Sequence, residues 1–358
     1  MNGERERLCE ILRDPPAKDG PITPGTIALA RGQGVHLLLA ERLHPPELDD
    51  ERRSAAVIGA ARESELRTAL KALAQAAVQP ILIKGCALAY THYARPELRP
   101  REDTDVMISA DDRKTVARVL TSIGYERPPE ADGELTTGQF HFVKGDRCGI
   151  PHALDVHWRI SNVRVFADAL TYEELARDAR PIAALGPHAW GASPRHALLI
   201  ACLHRVAHHA DSPNLLWLYD IHLLARGDAS ESAAFAALAS ARGMRAVCTR
   251  GLELASTAFG GIDPRWLAAL SDANGAGTSD ARESQAAAFL RGPMSLAGIL
   301  KADLAATPGW RGRLRILREH LFPNRAFMYE RYGTRSAIAL PFLYLYRIVR
   351  GAPRWVRR

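Results

Sequence analysis

Arg99-Pro100-Arg101-Glu102-Asp103-Thr104-Asp105-Val106-Met107-Ile108 ends like a buried strand and begins with charge. The apolar end, Val106 to Ile108, asks for a covered position in a sheet. A strand repeats every two residues, so Asp103 and Asp105 share one face while Thr104 and Val106 turn to the other. Glu102 is expected to point away from the pair. Two carboxylates side by side repel and resist burial, so a chain that holds them at the edge of an apolar strand needs a compensating cation. Mg²⁺ is the expected partner, because it prefers oxygen ligands and typically takes one or two carboxylates plus substrate phosphates.

A third acid has the same character. Asp155, in Ala153-Leu154-Asp155-Val156-His157-Trp158-Arg159-Ile160, sits inside another apolar run, where a lone carboxylate is costly. If that strand lies beside the first, Asp103, Asp105 and Asp155 form a cluster able to hold one or two metal ions for an in-line displacement at phosphorus. His157 shares the face of Asp155 and is a candidate to touch substrate or to orient the carboxylate.

Working outward, Pro80-Ile81-Leu82-Ile83 reads as a short buried strand ending in a tight turn at Lys84-Gly85. A helix is expected over 86–94, another from 110 to 123 with Gly124 as its stop, and strands over 103–108, 140–144 and 153–160. Residues 79–162 therefore form a small α+β unit. The preceding 1–78 are expected to be helical, with one amphipathic helix over 52–76, and 163–358 form a larger helical region. There, 193–209 and 214–227 read as an antiparallel helix pair, and 271–284 as a mobile loop. His204 and His208, on one face of the first of these helices, with His209 beside them, are expected to pack between helices or line a cleft rather than to bind metal.

The order Lys84-Gly85, Leu98-Arg99-Pro100, Asp103-Thr104-Asp105-Val106 and Leu154-Asp155-Val156-His157-Trp158 resembles the nucleotidyltransferase superfamily of the DNA polymerase β type. More narrowly, it is similar to a bacterial group of uncharacterised nucleotidyltransferases (NTP_transf_5), with Leu203-His204, His208 and Leu216-Trp217-Leu218-Tyr219-Asp220-Ile221 resembling that group's helical half. The resemblance covers roughly residues 55–225 and implies a nucleotidyltransferase sheet domain. It further implies that Asp103 and Asp105 bind Mg²⁺, that Asp155 binds one metal and helps deprotonate the acceptor, and that Gly85 and Lys84 lie against the triphosphate. Arg99 is a candidate phosphate contact or a counter-charge to the acids. Cys86 stands where the superfamily usually has a small or hydroxyl residue, and the interval from Gly85 to Asp103 is longer than its usual spacing.

The expected activity is Mg²⁺-dependent transfer of a nucleoside monophosphate, with AMP from ATP as the leading choice, to a hydroxyl acceptor with release of pyrophosphate. The alternative is a non-catalytic nucleotide-binding regulatory or partner protein that keeps the fold, although retention of all three acids argues against it. Composition narrows the setting. The 358 residues are 47% hydrophobic and 24% charged, as in globular proteins, and no run approaches the length of a membrane span. The five scattered cysteines suggest neither a disulfide framework nor a thiolate zinc site, and a cytoplasmic location is expected. A net charge of +7 favours anionic partners in general. Without a concentrated basic patch interleaved with aromatics, nucleic acid is not the expected partner. The tail 337–358, apolar and then basic, is expected to pack on the helical region with an exposed basic end, the other reading being contact with an anionic membrane surface.

Overall fold

The computed structural model describes residues 2–13, 22–130, 133–146, 148–226, 229–272 and 280–356. The fold is α+β, with a six-stranded mixed sheet among many helices. The strands are β1 (Ile81–Leu82), β2 (Thr104–Met107), β3 (Gln139–Gly145), β4 (Pro151–His157), β5 (Arg180–Pro181) and β6 (Trp190–Gly191), in the order β3-β4-β2-β1-β6-β5. β2 runs parallel to β4 and antiparallel to β1, while β3 and β4 form an antiparallel hairpin. The last two strands lie in a region expected to be helical. At two residues each they carry no readable period, and only the parallel pairing of β6 with β1 gives them a place in the sheet.

Period-two alternation sorts the sheet's side chains into two cores. Leu82, Val106, Phe142, Leu154 and Val156 face a compact core completed by Leu66, Leu70 and Leu73 of the Asp49–Gln75 helix and by Val116 and Leu120 of the Arg113–Ser122 helix. Ile81, Ile83 and Met107 face the opposite way, into a larger core that contains Leu198, Leu203 and Val206. The residues in step with Met107 on β2 and with His157 on β4 therefore look toward the helical half of the molecule. Those residues are Asp105, with Asp103 just before the strand, and Asp155.

The helices Asn2–Leu12, Pro24–Gly32 and His36–Leu43 bury Leu8, Ile11, Leu12, Leu38 and Leu39 in the larger core, together with Leu215, Leu252 and Phe259. By packing, the first part of the chain thus divides: these three helices share a core with the C-terminal half, and the Asp49–Gln75 helix backs the sheet. The expected helix pair is present as Pro194–His209 and Leu215–Ala225, with Pro194 in the first turn and Asn214 accepting a hydrogen bond from Leu216 N at 3.0 Å. Gly124 ends the Arg113–Ser122 helix at φ +92°, a conformation that favours glycine. Of the loop expected over 271–284, residues 273–279 lie outside the described residues, while its two ends are helical, in Arg265–Asp272 and Asp280–Ala288.

Candidate active site

The parallel pairing of β2 with β4 sets Asp105 directly opposite Asp155, and Met107 opposite His157. Ligand atoms of Asp105, Asp155 and His157 all lie within 4.8 Å of one another, a grouping able to hold a metal ion. Asp103 reaches the same cavity from the residue before β2. Burial, and after it the charges of Asp105 and Asp155, push the Asp103 carboxyl up to about 6. Burial is the larger cause, and the part that comes from Asp105 and Asp155 marks a site whose acids are not fully offset by counter-ions.

One counter-ion comes from the protein. Lys84 Nζ donates to Asp105 Oδ1 at 2.6 Å and lies 3.3 Å from His157 Nε2, which is itself 2.8 Å from the same oxygen. Burial alone would push the Asp105 carboxyl up, but Lys84 and then His157 outweigh it and hold the group well below the usual carboxylate range. His157 is pushed down by burial and by the Lys84 charge, so it is neutral at pH 7. Lys84 occupies the left-handed region, with φ +55°, where β1 meets the Lys84–Thr91 helix. Strain of this kind at a non-glycine residue concentrates at functional sites. The first turn of that helix opens the cavity with Lys84, Gly85 and Cys86, and helix geometry leaves its N–H groups without intrahelical partners.

Two residues that the sequence reading did not single out serve Asp155. His141 Nδ1 approaches Asp155 Oδ1 at 2.6 Å and Gln139 Nε2 donates to Oδ2 at 3.2 Å. Both lie on β3, and the hairpin register places His141 directly opposite Asp155. The signal was the alternation in Gln139-Phe140-His141-Phe142, whose aromatic residues face the compact core and whose polar residues face the acids.

Arg99 makes a different connection. Its Nε donates to Asp220 Oδ1 and Oδ2 at 3.0 and 3.2 Å, its Nη2 to Oδ2 at 2.8 Å, and its Nη1 to the Pro100 carbonyl at 2.6 Å. Tyr93 Oη adds a third donor to Asp220, at 2.7 Å. The guanidinium therefore joins the loop before β2 to the Leu215–Ala225 helix, and its counter-charge is Asp220 rather than Asp103 or Asp105. A Cβ added at Gly85 would stand 2.9 Å from Arg99 Cζ, so this glycine makes room for the ion pair. That role is compatible with a nearby triphosphate.

The acids and Lys84 form one wall of a cavity of about 730 Å³, whose facing wall is the helix pair. His204, His208 and His209 line it with Trp217. His209 stacks on Trp217 with ring centroids 3.7 Å apart, and its Nε2 lies 3.1 Å from that of His204. Burial, and then the Lys84 charge, push His204 far down and His208 down to about 4. Both are neutral at pH 7. The histidine wall therefore adds polar groups without charge.

This cavity and its acids fall inside the stretch, residues 26–260, that matches a family model described as uncharacterised nucleotidyltransferase. The match takes in the whole sheet, both cavity walls and the helices up to Arg245–Phe259. No curated protein matches the chain.

Proposed function

From the premise that this chain belongs to the family of uncharacterised nucleotidyltransferases, we propose that it transfers a nucleoside monophosphate, AMP from ATP in the first instance, to a hydroxyl acceptor. The observation that carries the proposal is the β2–β4 register, which sets Asp105 against Asp155 beside Asp103, whose carboxyl is pushed up by burial and then by these two acids. That donor set of hard oxygens with an excess of negative charge fits a divalent cation, Mg²⁺ above all, held by Asp103, Asp105 and Asp155. When bound, the ion supplies positive charge to the triphosphate and to the acceptor oxygen.

The remaining work belongs to side chains. Lys84 holds Asp105 through a single ammonium on a flexible stem, so it would be free to turn from that oxygen to a phosphate if Asp105 were to hold a cation instead. The first-turn N–H groups of the Lys84–Thr91 helix face the same phosphates. Asp155, oriented by His141 and Gln139, accepts the proton of the acceptor hydroxyl. The acceptor oxygen bonds the α-phosphorus as the bond to the pyrophosphate oxygen breaks. Neutral His204 and His208 can hydrogen-bond an uncharged acceptor without repelling a cation across the cavity. Small molecules, sugars, lipid-linked intermediates and peptide or protein hydroxyls all meet that description. His157, neutral and next to Asp105, orients the carboxylate or serves as a further ligand.

The test is mass spectrometry of products after wild type and the Asp103→Asn/Asp105→Asn variant are incubated with labelled ATP, Mg²⁺ and cell extract. The proposal expects a product heavier by one nucleoside monophosphate in the wild-type reaction alone, and identical products in the two reactions would refute it.

One observation favours a second reading. The Lys84–Asp105 pair already neutralises one acid, and a lysine fixed there would make the chain a nucleotide-binding partner protein without turnover. Nucleotide binding that ignores Mg²⁺, with no pyrophosphate released, would favour that reading.

A further inference from the structure

The end of the chain differs from the rest in both charge and surface. Residues 310–358 hold twelve arginines against two acids, Glu319 and Glu330, a net +10 that exceeds the +7 of the whole chain and leaves 1–309 slightly acidic. Among the described residues, nine of the ten large apolar side chains left exposed lie between 296 and 349.

The apolar exposure has a pattern. In the helix Leu340–Val356, Phe342, Leu345 and Val349 are 71%, 61% and 65% exposed, and Tyr346 is exposed with them. Spacings of three and four residues put these on one face. The other face is seated: Leu340 is buried, Tyr344 Oη donates to the Pro323 carbonyl at 2.7 Å, and the Arg347 guanidinium lies 5.9 Å from the centre of the Phe327 ring. Beside the exposed stripe, Phe322, Leu340, Tyr344, Leu345 and Ile348 line a groove of about 530 Å³ with Arg325 at its edge. Trp310 and Leu314, four residues apart on the Trp310–Leu321 helix, are also exposed, among Arg311, Arg313, Arg315 and Arg318.

We propose that the helix Leu340–Val356, with the arginines around it, docks this protein on the surface of an anionic lipid bilayer. Charge complementarity commits the face to that occupant. A basic amphipathic helix binds a bilayer interface by combining buried apolar area with attraction to anionic headgroups, and neither contribution alone holds firmly. Both are present here on one segment. An RNA would engage the arginines but leave Phe342, Leu345 and Val349 in water, and a second copy of this face would bring like charges together. No helix among the described residues is long and apolar enough to cross a membrane, so the helix lies on the bilayer rather than through it.

Flotation of the full-length protein with vesicles of neutral phosphatidylcholine, alone or with 30% phosphatidylglycerol, tests this. The expected result is flotation with the anionic vesicles only, weakened by raising NaCl from 50 to 500 mM. Phe342→Ser/Leu345→Ser/Val349→Ser, which changes exposed positions and no charge, should reduce the bound fraction at least about tenfold. Circular dichroism of this variant should match wild type, and Arg350→Glu should weaken binding less. Absence of flotation at 50 mM NaCl, or equal flotation of the serine variant, would overturn the proposal. So would a dimer in light scattering that the serine substitutions dissociate, or single-stranded RNA binding that they weaken as much.

Discussion

Two buried ion pairs stand at the edge of the same cavity, and they are built differently. Arg99–Asp220 is closed: a planar fork meets a carboxylate on both oxygens, Tyr93 fills a further acceptor position, and a glycine clears the space. Lys84–Asp105 is open: one ammonium serves one oxygen, with two more carboxylates nearby and too little positive charge for all three. The first pair satisfies itself and ties the β2 loop to the helices, whereas the second leaves a demand that a ligand can meet. Burial alone does not separate them, since all four side chains are largely excluded from water. The contrast lies in how far each charge is matched.

The sharpest way to break this contrast is to remove an acid from the open side. Asp155→Asn should lower the transferase rate by about three orders of magnitude while the thermal midpoint stays near wild type, because this acid is asked to act on substrate rather than to hold the fold. An equal loss of stability and activity would make it structural.

On the closed side the expected cost is stability. Arg99→Ala strands Asp220 and should destabilise by about 3–5 kcal/mol in chemical denaturation, as breaking a buried pair does. Arg99→Met/Asp220→Leu should recover most of that and keep activity within a few-fold of wild type. A recovered fold with lost activity would return Arg99 to the phosphate-binding role that the sequence suggested. A smaller effect is expected at Gly85→Ala, where the new methyl presses on a guanidinium that cannot yield, at a cost of about 1–3 kcal/mol.

The smallest effect has the opposite sign. The folded protein keeps the Asp103 proton up to about pH 6, whereas an unfolded chain loses it near pH 4. Between those values the folded state binds more protons, so this group's contribution falls as pH rises and is fully unfavourable above pH 6. Asp103→Asn should therefore stabilise the metal-free protein at pH 7.5, by about 1 kcal/mol given its partial exposure, and flatten the pH dependence between 4 and 6. Denaturant midpoints across that range measure both.

Local rules made much of the site legible in advance. Alternation in Asp103-Thr104-Asp105-Val106 and in Leu154-Asp155-Val156 put the acids on one face before any pairing was known, and the same rule applied to β3 points to Gln139 and His141. What stayed hidden depends on distant parts of the chain meeting. Arg99 and Asp220 are 121 residues apart, and Arg99 had nearer acids to attract attention. Asp220 lies in the apolar run Leu215–Ala225, where a single acid called for a buried partner without naming it. The turn of Lys84 onto Asp105 and the addition of β5 and β6 to the sheet likewise follow from tertiary contacts that no local period encodes.

Whether the open pair yields to a metal is measured most directly by isothermal titration of ATP into the wild type and the Asp105→Asn variant, each with Mg²⁺ and with EDTA. The account predicts that wild type binds at least about tenfold more tightly with Mg²⁺, a coupling of about 1.4 kcal/mol, and that the variant loses most of this difference. Equal wild-type affinity with Mg²⁺ and with EDTA would contradict it and leave Lys84 as the permanent counter-ion of Asp105.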